Sequence, residues 1–124
     1  AFVERNHVMS IQRFHVGARL SEMAIFNDTI YLAGQVADDP LQDITGQTTQ
    51  VLAAIDRLLA EAGSDKSNIL STTIYIASLA DFQAMNAVWD AWVVPGSTPP
   101  RATVEAKLAK PAYKVEIQIV AARR

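Results

Sequence analysis

Between Thr48 and Ala62 the apolar residues Val51, Leu52, Ile55, Leu58, Leu59 and Ala62 recur at the spacing of one helical face. Gly63 follows where a helix would end in a left-handed residue. This stripe is the strongest constraint on the fold. A helix with one apolar face must lay it on something. The segments on both sides of this one are strand-like.

Ile11–His15 reads as a short strand. Ser21–Phe26 and Ile30–Ala33 flank Asn27-Asp28, a turn pair, and together predict a hairpin. Gly34 ends the second strand, and a polar loop runs from Asp38-Asp39-Pro40 to Thr45-Gly46. After the helix, Ser67-Asn68 turns the chain into the β-branched run Ile69–Ile76. Asp81 reads as the N-cap of a second helix with the stripe Phe82, Met85, Val88, Trp89 and Trp92. Pro95-Gly96 and Pro99-Pro100 stop it. Arg101–Ala106 alternates as a strand, and Lys107–Lys114 connects it to Val115–Ala121. There Val115, Ile117 and Ile119 share one face, with Glu116, Gln118 and Val120 on the other.

The order β-β-β-α-β-α-β-β predicts a two-layer α+β domain, with two helices on one face of a mixed sheet of about six strands. Several strands are apolar on both faces, so the second face needs a cover. Self-association is the simplest one for a small domain.

The 124 residues, half of them apolar, fit one domain spanning 10–124. Met9-Ser10 resembles a translation start, so residues 1–9 are read as a leader or appended segment without function. Cysteine is absent, which excludes disulfides, thiolate metal sites and a cysteine nucleophile, and permits a reducing, cytoplasmic setting. The net charge of −2 and the lack of a basic run disfavour nucleic acid as the main partner. No apolar stretch reaches the roughly 18 residues of a membrane span. His7 and His15 stand far apart with no carboxylate at ligand spacing, so no metal is expected. No phosphate-binding glycine loop or nucleophile elbow is present, so no nucleotide cofactor is expected.

Few residues suit chemistry. Arg101 opens a strand behind two prolines, a rigid mount for a fork of donors that fits a carboxylate; the simpler alternative is a surface arginine. Glu116 lies between apolar neighbours as a candidate base that orients water, or as an ordinary residue on a wet strand face. Thr103 shares a face with Arg101, as a hydrogen-bonding partner or a plain β-former. Gly34 can bring its backbone close to a ligand, or simply end a strand, with Gln35 beside it. Asn86 lies mid-helix, facing solvent or a neighbouring subunit. Trp89 and Trp92 read as core.

The segments IYLAGQVA, TTQVLAAIDRLLAEAGSDKSNIL, TTIYIASLADFQAMNAVWDAWV, PPRATVEAKL and KVEIQIVA resemble, in order and spacing, the Rid/YjgF family, and most of all its short YoaB-like branch. The resemblance runs from about Ser10 to Arg123. It implies a chorismate-mutase-like fold and a homotrimer with active sites in the clefts between subunits. The implied activity is cofactor-free hydrolysis of 2-aminoacrylate and related enamines or imines to 2-keto acids and ammonia. By the family's motifs, Arg101 grips the substrate carboxylate, Glu116 orients the attacking water, and Gly34, Thr103 and Asn86 complete the pocket. Where the family often has Tyr, Ser and Cys, this chain has Leu20, Ala33 and Thr103, and its segment between Asn86 and Arg101 is shorter. These departures remove a phenol and a hydroxyl and leave the carboxylate clamp. Two alternatives follow. One is a module that binds small carboxylate metabolites without turnover. The other is the endoribonuclease or translation-inhibitor activity sometimes attributed to the family, which the acidic balance disfavours.

Overall fold

The structure, a computed structural model, describes residues 10–124. The leader assigned to residues 1–9 lies outside the described residues, as does His7. The hairpin at Asn27-Asp28 forms for a local reason. Both residues take positive φ, 50° and 63°, as a two-residue type I′ turn requires. Asn and Asp tolerate that region better than most residues. The turn joins β2 (Ser21–Phe26) to β3 (Thr29–Leu32). β1 (Gln12–Val16) pairs antiparallel with the other edge of β2.

β4 (Ile69–Ile76), β5 (Arg101–Glu105) and β6 (Val115–Ala122) complete a six-stranded sheet of order β1-β2-β3-β6-β4-β5. β6 runs antiparallel to both β3 and β4, and β4 and β5 are parallel. The sheet is therefore mixed, as the element order predicts. A parallel pair needs a crossover, and the second helix supplies it. β1 and β5 are the edges.

Helix α1 (Ile44–Glu61) starts earlier than its apolar stripe suggests. The Asp43 carboxylate accepts the Gly46 N–H at 2.8 Å, and this cap draws Ile44–Gly46, which read from sequence as loop, into the helix. Its C-terminus closes as expected. Gly63 has φ +78°, and the Gly63 and Ser64 N–H groups donate to the Ala60 and Leu59 carbonyls, which is the Schellman pattern. Helix α2 (Phe82–Trp92) corrects one expectation. Asp81 precedes it but makes no capping bond through its side chain. Instead Ser78 Oγ accepts the Ala80 N–H, and a 3₁₀ turn (Leu79–Asp81) leads directly into the helix.

The core lies between the helices and one face of the sheet. Met23, Ile25, Ile30, Leu32, Ile74, Ile76, Val115, Ile117 and Ile119 meet Val51, Leu52, Ile55, Leu59, Met85 and Trp89 there, all buried. The other face carries Glu22, Ala24, Tyr75, Glu116 and Gln118, and also Tyr31 and Val104, which are 49% and 44% exposed. Among the described residues no helix is long and apolar enough to cross a membrane. Asp43→Ala should lower unfolding stability by about 1 kcal/mol, read as a shift of the urea midpoint at unchanged slope. An unchanged midpoint would mean that the cap does not set the start of α1.

Candidate active site

Arg101 is the first residue of β5 and stands beside Thr72 on β4. Thr72 is buried on the helix side of the sheet, so Arg101 points under α2. The Pro100 carbonyl accepts the Thr72 N–H at 3.0 Å, which fixes the strand start that carries the arginine. The guanidinium donates to Asn86 Oδ1 at 2.8 Å and lies 5.3 Å from the ring centre of Trp89 and 6.0 Å from that of Phe82. Among the described residues no carboxylate is within ion-pairing distance of it. Here is a half-buried cation held by a neutral amide and two aromatic faces. That arrangement fits a site waiting for an anion. Thr103, two residues on, shares its face and has a buried hydroxyl without a partner.

Glu116 is opposite Tyr75 on β4, in the row of Val104 on β5. Strand alternation therefore puts it on the open face. It floors a hollow of about 320 Å3 with Tyr75, Gln118 and the connection Ala106–Ala109. Its carboxylate rests on Gly34. A Cβ added to Gly34 would lie 2.1 Å from Glu116 Oε2 and 2.9 Å from its carboxyl carbon. Here the missing side chain creates the approach, and φ plays no part. The Gln35 and Ile117 backbones exchange hydrogen bonds of 2.8 and 3.0 Å, which locks Gly34 against the Glu116 strand.

The sequence-predicted residues thus fall into three groups. Arg101, Asn86 and Thr103 gather under α2, and Gly34 meets Glu116 on the open face. Leu20 is 56% exposed in the β1–β2 turn, at the far end of the sheet from β5. Five strand steps of about 4.8 Å put these edges about 24 Å apart. Arg101 and Glu116 are offset by about 10 Å along the strands and about 10 Å across them, on opposite faces. One chain does not bring these groups to one small ligand.

Trp89, which reads as core, is also the arginine's platform, together with Phe82 of the same helical stripe. With Asn86 they are spaced i, i+4 and i+7 on one helical face, a signal present in the sequence. Tyr75 and Lys107 were not singled out and line the Glu116 hollow. A hollow of about 610 Å3 opens between α1 and the loop after β3, with Gly34 and Gln35 in its lining. There His15, at φ +54°, meets Glu61 at 2.9 Å. Among the described residues no group of His, Asp or Glu could hold a metal.

Gly34→Ala should leave the strand register intact and drive the Glu116 carboxylate off its seat, visible in a crystal structure of the variant. An unmoved Glu116 beside Ala at position 34 would contradict the close approach.

The family model described as Endoribonuclease L-PSP matches residues 10–123. The RutC family protein YoaB of Escherichia coli (strain K12) is 50% identical over 114 residues, 92% of this chain and 99% of that one. The crystal structure of a YjgF-family protein from Neisseria meningitidis superposes with a TM-score of 0.92 at 47% identity, covering 95% of this chain and 98% of that one. A more distant relative, the chloroplastic Reactive Intermediate Deaminase A of Arabidopsis thaliana, is 31% identical over 101 residues, 77% of this chain and 54% of its own length. With the six-stranded mixed sheet and its two helices in the same order, these matches make the chain a member of the Rid/YjgF (L-PSP) family, on its YoaB-like side.

Proposed function

We propose that the protein is a cofactor-independent deaminase that hydrolyses 2-imino acids, and the enamines that tautomerise to them, to 2-keto acids and ammonia. The observation that carries this is the guanidinium of Arg101, half-buried and without a counter-charge among the described residues. A 2-imino acid presents the planar carboxylate that such a group pairs with through two parallel hydrogen bonds. A relative in Arabidopsis thaliana is named Reactive Intermediate Deaminase A, which supports a deaminase reading.

The reaction needs a water molecule and a base. Glu116 takes a proton from water as the oxygen adds to the imine carbon, giving a tetrahedral carbinolamine. That proton passes to nitrogen, the carbinolamine hydroxyl then gives up its own proton, which also reaches nitrogen through Glu116, and the C–N bond breaks to release ammonia and leave the ketone. In this reading the backbone at Gly34 orients the nitrogen on the Glu116 side, and the Thr103 hydroxyl, unpaired beside Arg101, serves the carboxylate side.

Arg101 and Glu116 occupy opposite faces of their own sheet, so the working unit is an oligomer, a homotrimer in this proposal, acting in the cytoplasm. Each cleft would draw the clamp from one protomer and the base from its neighbour, with Leu20 forming part of the wall. The exposed Tyr31 and Val104 on the open face would be covered in the same assembly.

A net charge of −2 gives no general attraction for a polyanion, and hydrolysis of a small acid is favoured over RNA cleavage. Binding without turnover would use the same arginine and leave Glu116 idle.

Ammonia release from imino acid generated in situ by an amino-acid oxidase tests the reading. Arg101→Ala should cut kcat/KM by about 10²-fold or more, and Arg101→Lys should recover only part of it, because the bidentate fork is gone. Glu116→Gln should lower kcat about 10²–10⁴-fold. Full activity in Arg101→Ala would remove the clamp. Keto-acid binding with no turnover in the native protein would leave the binding module.

A further inference from the structure

The interior holds one amide side chain that neither the fold's apolar packing nor the catalytic groups account for. Gln47, in the first turn of α1, has no exposed surface. Its amide nitrogen donates to the carbonyls of Pro40 (3.1 Å), Gln42 (3.0 Å) and Ala112 (3.0 Å). Its amide oxygen accepts the Lys114 N–H at 2.9 Å. The nitrogen has two hydrogens for three acceptors, so both donors are engaged, and the oxygen has a partner as well.

These partners are not scattered. Pro40 and Gln42 belong to the loop that leaves Gly34. Ala112 and Lys114 close the connection that enters β6 two residues before Glu116. The same connection supplies Ala106–Ala109 as one wall of the Glu116 hollow. Gln47 therefore ties together the two segments whose Gly34 and Glu116 make the close approach. The backbone exchange between Gln35 and Ile117 fixes the register on the far side of Glu116. Gln47 holds the near side, so the glutamate is anchored from both directions along its strand.

We infer that Gln47 is a positioning residue for the Glu116 reaction: by clamping Ala112 and Lys114 to the Pro40–Gln42 loop it sets where the Glu116 carboxylate stands over Gly34. This rests on the reading of Glu116 as the base. Displacing a reacting group by about 1 Å can cost about 10²-fold in rate. The carboxylate clamp at Arg101 lies on another part of the sheet and does not depend on this tether. The inference thus separates kcat from KM.

The test uses the assembled, full-length protein, with Gln47→Met, which keeps length and removes all four bonds. Ile55→Val serves as a control for core destabilisation away from the site. Assays run well below the melting temperature of every variant. Gln47→Met should lower kcat about tenfold or more with KM within about twofold, while Ile55→Val keeps native kcat. Should Gln47→Met not fold, Gln47→Asn takes its place; its shorter reach cannot serve both segments, and the same kcat-selective loss is expected. Native kcat in a folded Gln47 variant, or a loss confined to the melting temperature, overturns the inference. Glu116→Gln assayed alongside keeps the two failures apart. If it is inactive while the Gln47 variants turn over normally, only the positioning role falls. If it is fully active, the base assignment falls first.

Discussion

A side chain on a β-strand can point to only one face of its sheet, and in this chain that geometry keeps the two proposed catalytic groups apart. Thr72 and Tyr75 lie three residues apart on β4; the first faces the helices and the second faces away. Arg101 is registered with Thr72, and Glu116 with Tyr75. No rotamer change brings them together through a packed sheet. If they act on one molecule, two chains must supply them. The open face, with Tyr31 and Val104 half exposed, offers the surface for that association.

The arginine side of the site is prepared in advance. A guanidinium withdrawn from water needs compensation. Here it comes from one hydrogen bond to Asn86 and the faces of Trp89 and Phe82. Such ring contacts are worth about 0.5–2 kcal/mol, enough to hold the group in place without neutralising it. Under the proposed function, a carboxylate would add charge-assisted bonds to a fork already oriented, at little cost in conformational entropy. The glutamate side is organised by an absence. Gly34 leaves the space that the carboxylate fills, and backbone pairing at Gln35 and Ile117 keeps it there.

The fold was largely legible in the sequence because its signals are local. The stripe from Val51 to Ala62, the Asn27-Asp28 turn and the alternation from Val115 to Ala121 each need only a few neighbours to be read. The first turn of α1 was missed because Thr45-Gly46 has loop chemistry, and the Asp43 cap overrides it. Asp81 misled in the opposite way; it has the right residue type at the right place, yet Ser78 carries the capping bond. For the site, the resemblance supplies candidate residues, but not their mutual arrangement. The seat of Glu116 on Gly34 and the tucking of Arg101 under α2 both depend on strand register between distant segments, which no local pattern encodes. Asn86 illustrates the gap: it was placed toward solvent or a neighbour, and it faces the arginine of its own chain.

If clamp and base belong to different protomers, as proposed, subunit complementation reveals it. Arg101→Ala and Glu116→Gln chains, each inactive alone, are unfolded together, reassembled at equal amounts and assayed. If each site takes its arginine from one chain and its glutamate from another, random mixing restores about a quarter of native activity. If one chain supplies both groups, every site in the mixture stays defective and no activity returns, which contradicts the account.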